Sequence, residues 1–123
     1  MEQFGFPDKT GDYAEAQTLL VRTLNSAPTV NWDLRTQQNA ELTLTQTTTT
    51  IANPMGWKNG RMAMLEIIQG TSTTVAFGSM FINVSGITLN STAGYSNVLI
   101  FKCVLVNAVP KVMLVSNSSS TRA

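Results

Sequence analysis

Two runs of this sequence alternate apolar and polar residues without a break. In TVNWDL (29–34), Val30, Trp32 and Leu34 fall on one side, with Asn31 and Asp33 on the other. In NAELTLTQ (39–46), Ala40, Leu42 and Leu44 oppose Glu41, Thr43 and Thr45. A period of two fits a strand with one buried face. The runs recur between close turn signals: Asn53-Pro54 and Asn59-Gly60 punctuate NPMGWKNG (53–60), and Gly70 opens a Thr/Ser cluster. TTTTIAN (47–53) reads as a turn into a short strand. Further strands are expected in RMAMLEIIQ (61–69), TTVAFG (73–78), MFINVSG (80–86) and ITLN (87–90). SNVLIFKCVLVN (96–107) and VPKVMLVSN (109–117) read as an antiparallel pair turning near Asn107-Ala108. Upstream, Leu20 and Leu24 stand four apart as on a helix, but Thr18, Val21 and Thr23 favour a strand. Eight or nine short strands, with turn signals at about every ten residues, predict an all-β fold. The expected architecture is an antiparallel β-sandwich, jelly-roll-like, over residues 17–117, with an extended N-terminal arm (1–16) and a flexible C-terminal tail (118–123).

A chain of 123 residues is of single-domain size. Eight basic and seven acidic residues leave a net charge of +1, which provides no field for a nucleic acid backbone. Charged residues make up 12% of the chain, about half the usual share. Thr, Ser and Asn supply the polarity instead, which suits pleated surfaces and turns. All seven acids lie at or before Glu66, and beyond it stand only Lys102, Lys111 and Arg122. Charge ordinarily keeps a monomer soluble and blunts its strand edges. So poorly charged a half implies cover by partners.

The strand faces point the same way. Val98, Ile100, Val104 and Val106 share a face with Lys102, and the opposite face carries Leu99, Phe101, Cys103 and Leu105. Met62, Met64 and Ile68 likewise stand back to back with Ala63, Leu65 and Ile67. A two-layer sandwich leaves one face of each strand in water, so strands apolar on both faces need a second cover. A loop or the arm would serve. Another subunit is favoured, which makes Met62, Met64, Ile68, Val98, Ile100, Val104 and Val106 the expected oligomer interface. In the arm, Phe4, Phe6 and Tyr13 are costly to leave in water and are the expected anchor to a neighbouring protein.

Groups able to do chemistry are scarce. The chain has no histidine, which removes a Ser-His-Asp triad and imidazole metal sites. Cys103 is the single cysteine, expected to be a buried core thiol, and no intrachain disulfide is possible. Asp8, Asp12 and Glu15 lack the ordered oxygen spacing of an EF-hand and read as solvated charge. Asp33, Glu41 and Glu66 are isolated at strand positions. Trp32 alternates with core residues and is expected in the core. Trp57, in the loop with Met55, is the surface candidate for stacking on a sugar, although a packed loop tryptophan is commoner. No cofactor and no metal are expected, and the chain reads as non-enzymatic. MEQFGFPDKTGDYAEAQ shows neither a basic nor an apolar leader region, and no apolar run approaches a bilayer span. The expectation is a soluble protein made in a cytoplasm, with no membrane partner.

Over about three quarters of its length the chain resembles a β-sandwich module of tailed-bacteriophage virion proteins, found in tail fibres and in head-fibre or capsid decoration proteins. The resemblance lies in VNWDL (30–34), ELTLTQ (41–46), IANPMGWKNGRMAMLEIIQG (51–70), TTVAFGSMF (73–81) and SNVLIFKCVLVN (96–107), in that order and spacing. The chain departs from the family where Ala76 and Phe77 follow Val75 in place of a tryptophan. MFINVSG also stands for a Trp-Pro-Gly-Gly loop, and an aliphatic VPKVMLVSN for an aromatic hairpin. The resemblance implies an oligomeric virion part, often a trimer, with no catalytic residue. A single module with a short arm favours the capsid surface: a decoration, cement or head-fibre protein bound to the major capsid protein or another virion protein. The alternative is a tail-fibre or baseplate component touching a host receptor or surface glycan. A small depolymerase using Asp33, Glu41 or Glu66 is the remaining reading.

Overall fold

The computed structural model describes residues 21–70, 74–85, 89 and 92–121. They form nine strands: β1 (Arg22–Leu24), β2 (Thr29–Val30), β3 (Asn39–Leu44), β4 (Thr48–Ile51), β5 (Met62–Gln69), β6 (Thr74–Phe77), β7 (Phe81–Ile82), β8 (Tyr95–Val106) and β9 (Val109–Thr121). Among the described residues there is no helix, so the fold is all-β. The strands make a six-stranded mixed sheet, ordered β1-β3-β5-β8-β9-β7, and a three-stranded sheet, ordered β2-β4-β6.

The chain climbs between these sheets as a coil. β1, β3 and β5 stack in parallel, so that Leu24 lies beside Leu42 and Leu42 beside Ile67. β2, β4 and β6 do the same, setting Val30 beside Ile51 and Ile51 beside Phe77. The segments after β2 and β4 run side by side as well. Met55 N–H donates to the Trp32 carbonyl (2.9 Å) and Leu34 N–H to the Met55 carbonyl (2.9 Å). In the next turn of the coil, Gly78 N–H donates to the Ile51 carbonyl (2.8 Å), and the Asn53 Oδ1 accepts from Met80 N–H (2.7 Å). Antiparallel pairing begins where β8 lies along β5, and it continues through the β8–β9 hairpin.

The antiparallel pairing expected from the sequence is therefore corrected. Antiparallel pairing is confined to β5–β8 and β8–β9, and the other five pairings are parallel. The physical reason is that alternation fixes which side chains point inward and says nothing of strand direction. Parallel crossovers usually advertise themselves by a helix, whereas here β2 and β4 carry them. The hairpin is where it was expected: Asn107 (φ 52°) and Ala108 (φ 64°) are both left-handed, as a two-residue type I′ turn requires.

Other boundaries move. The strand expected at 29–34 ends at Val30, and Leu34 to Thr36 form a turn. There the Trp32 indole N–H donates to the Gln37 carbonyl (2.6 Å). MFINVSG keeps only β7, because Asn83 is left-handed (φ 65°). β9 runs on to Thr121, paired with Tyr95, so residues 118–121 of the expected tail belong to a strand. The expected arm (1–16) lies outside the described residues, as does all of ITLN except Leu89.

One core joins both sheets. The alternating residues Val30, Trp32 and Leu34 are buried, as are Ala40, Leu42 and Leu44. Ala63, Leu65 and Ile67 of β5 and Leu99, Phe101 and Cys103 of β8 complete it with Leu24, Ile51, Phe81 and Val112. Phe101 is its centre, with ring centroids 5.9 Å from Trp32, 5.3 Å from Phe81 and 6.2 Å from Phe77.

Candidate functional site

The described residues contain no group of three or more His, Cys, Asp or Glu side chains that could hold a metal ion. The acids singled out in the sequence are placed as follows. Asp33 is engaged by Arg35: the guanidinium donates to both carboxylate oxygens (3.0 and 3.0 Å), and the Arg35 backbone N–H donates to Oδ1 (3.0 Å). The Arg35 side-chain bonds, then its backbone bond, hold the Asp33 carboxyl below its ordinary range. Asp33 thus secures a turn. Glu41 and Glu66 look isolated in the sequence, but the β3–β5 register sets them side by side. Glu66 also accepts a short hydrogen bond from the Ser96 hydroxyl. Asp8, Asp12 and Glu15 lie outside the described residues, as do the expected anchors Phe4, Phe6 and Tyr13.

Cys103 is buried in the core, and Trp32 is wholly buried, both as expected. Trp57 is half-buried, packs against the core and donates its indole N–H to the Lys111 carbonyl (2.8 Å). That bond turns the polar edge of the ring toward β9 and ties the 53–60 loop to it.

The remaining feature is a surface. The residues expected at an oligomer interface share the outward face of the six-stranded sheet, where β5 and β8 pair. Met64 sits opposite Ile100, Met62 opposite Lys102, and Glu66 opposite Val98. Met62 and Met64 are 45% and 40% exposed. Val98, Ile100, Val104 and Ile68 are half-buried, shielded in part by each other across the pleat. Sequence reasoning missed how far the stripe extends. The tight turn sets Val109 opposite Val106, Lys111 opposite Val104 and Met113 opposite Lys102. Val106 and Val109 are 41% and 48% exposed, so the stripe runs to the end of the hairpin. The expected Asn107-Ala108 turn already contained that register, since a two-residue loop fixes the pairs behind it, here as far as Phe101 and Leu114, beyond which a bulge shifts the pairing.

The face is also electrically lopsided. Glu41 and Glu66 lie toward one end, on neighbouring strands, with Ile68 one outward row beyond them. Lys102 stands four residues along β8 from Val98, the partner of Glu66, which is about 13 Å at strand rise. Lys111 lies one outward row further on. Such a face can bury apolar area and align charge. No family model, curated protein or solved structure matches the chain.

Proposed function

We propose that this chain is a non-enzymatic structural component of a tailed-bacteriophage particle, a homo-oligomer that decorates or cements the capsid surface or forms a head fibre. The observation that carries the reading is the outward apolar stripe of β5, β8 and β9, with Met62, Met64, Val106 and Val109 well exposed. Soluble monomers seldom leave a contiguous apolar patch of more than a few hundred Å² uncovered. The virion assignment itself is supported by the sequence resemblance in VNWDL, ELTLTQ and the 51–70 block. In finer terms, the two sheets close sandwich-like over one core, giving a rigid module whose outer face is free for other protein. Residues 1–16, with Phe4, Phe6 and Tyr13, serve as the anchor to the particle.

The test is to mix purified protein with undecorated phage heads and sediment them. Saturable co-sedimentation, with a multimeric free protein, is the expected result. A protein that ignores heads sinks the decoration reading. Deleting residues 2–12 is expected to abolish head binding, and unchanged binding removes the anchor from the proposal.

A further inference from the structure

The proposed oligomer leaves open how copies meet, and the charge layout of the outer face decides it. Three physical facts bear on the contact. The stripe is apolar along its middle, through Met62, Met64, Val98 and Ile100. Its acidic end holds Glu41 and Glu66 on adjacent strands. Lys102 and Lys111 lie toward the other end, in successive outward rows of the hairpin with Val106 and Val109 one row beyond, and Lys111 Nζ also donates to the Ser79 carbonyl (3.2 Å).

We infer that a second copy of this chain docks face to face on the β5–β8–β9 surface about a two-fold axis, so that the Lys102/Lys111 end of each copy lies over the Glu41/Glu66 end of the other. A two-fold contact is isologous: whatever one copy offers, the other offers in reverse. Reversal puts bases over acids at both ends and apolar side chains over apolar side chains between them. Packed sheets sit about 10 Å apart, a gap that lysine and glutamate side chains bridge together. A three-fold arrangement, the number the resemblance implies, with its axis along the strands and this face turned to the axis puts every residue at the height of its own copies. Lys102 would meet Lys102, and Glu66 would meet Glu66, in a contact being emptied of water. Opposed like charges at an interface cost several kcal/mol. The two-fold contact avoids that opposition of like charges. The contact also gives the outward apolar residues of two strands the second cover that their composition requires.

Sedimentation equilibrium over a concentration series tests this directly. The wild-type chain is expected to show a monomer–dimer equilibrium. Met64→Lys places a charge at the centre of the contact on a side chain that is 40% exposed, where folding tolerates it. It is expected to raise the dimer dissociation constant at least about a hundredfold, because the loss is counted once in each copy. The variants K102E/K111E and E41K/E66K are each expected to be monomeric, since one is acidic at both ends and the other basic at both ends. Mixed one to one, they are expected to regain the dimer mass. Near-ultraviolet circular dichroism establishes that each variant is folded. A wild type that stays monomeric, a wild type of trimer mass, or an unchanged dissociation constant in M64K overturns the contact. So does a mixture of folded charge variants that stays monomeric. The inference rests on the self-assembling particle protein proposed above, and the two fail separately. A dimeric wild type that ignores heads sinks the particle reading and leaves the contact standing. A monomeric wild type that binds heads does the reverse.

Discussion

Single buried atoms show where this chain gives up stability. Thr49 is fully buried on the inward side of β4, and its Oγ1 has no hydrogen-bond partner among the described residues. A hydroxyl left unpaired in an apolar setting retains its desolvation cost. Thr49→Val keeps the branched shape and removes the hydroxyl, so it is expected to stabilise the fold by about 1 kcal/mol in urea unfolding. Gln69 is in the same position, 1% exposed with both side-chain polar atoms unpaired among the described residues. Asp33 shows the opposite behaviour. The arginine beside it lowers its folded pKa from the ordinary 3.8. A lowered folded pKa gives stability that is present above the unfolded value and lost as pH falls through the folded one. The stability gap between wild type and Asp33→Asn is therefore expected to shrink as pH drops below about 4, in thermal melts taken across the acid range. None of these three states was legible in the sequence. Thr49 sits in a run of four identical threonines, two residues before Ile51, so alternation places it inward, but only the packing around β4 decides whether its hydroxyl finds a partner. The carboxylate of Asp33 needed a turn at Leu34 to bring Arg35 back to it, where simple alternation predicted a continuing strand.

At the level of elements, what the sequence disclosed was facing, and what it concealed was direction. Val30, Trp32 and Leu34 are buried as their spacing required, even though the strand stops at Val30. The two faces of β5 and β8 were likewise readable, because pleating is set by local geometry alone. Parallel stacking was not readable, because it depends on which distant strand lies beside which. The turns hold that stacking in place. Gly78 packs against the coil below, and a Cβ built there would lie 2.7 Å from the Asn53 backbone nitrogen. Since neither the Asn53 main chain nor its bonds to Met80 and Ser79 can move freely, Gly78→Ala is expected to destabilise by about 1–3 kcal/mol. The hairpin makes the converse case. Ala108 holds a left-handed conformation (φ 64°) that costs an L-residue with a side chain roughly 1–2 kcal/mol. Ala108→Gly gives the Asn-Gly pair that type I′ turns prefer. It is expected to stabilise by about 0.5–1 kcal/mol, since glycine returns part of the gain as chain entropy. Measured unfolding midpoints that move the other way in either variant would show that the turn does not adopt this geometry.

The whole molecule behaves as one cooperative unit if its two sheets share one core, and the aromatic cluster shows that they do. Phe101 comes from β8 of the six-stranded sheet, Phe77 from β6 of the three-stranded sheet, Phe81 from β7, and Trp32 from the segment that links the coil turns. The rings meet edge-on or tilted, with Phe77 and Phe81 centroids 5.2 Å apart, an arrangement worth a little more than its buried area alone. The three-stranded sheet is small: β2 contributes two residues and β4 and β6 four each. It has too little pairing to stand by itself, so it is stable only through the side chains it shares with the larger sheet. Phe101→Ala removes the ring at the centre of that contact and leaves a cavity facing both sheets. It is expected to cost about 3–5 kcal/mol, a large part of the total stability of a domain of this size. The discriminating measurement is hydrogen exchange on the variant. If the sheets depend on each other, amides of β4 and β6 lose protection together with those of β5 and β8, and by the same factor. If β5 and β8 alone weaken while β4 and β6 keep their protection, the coil is held by its backbone ladders and the aromatic cluster only fills space.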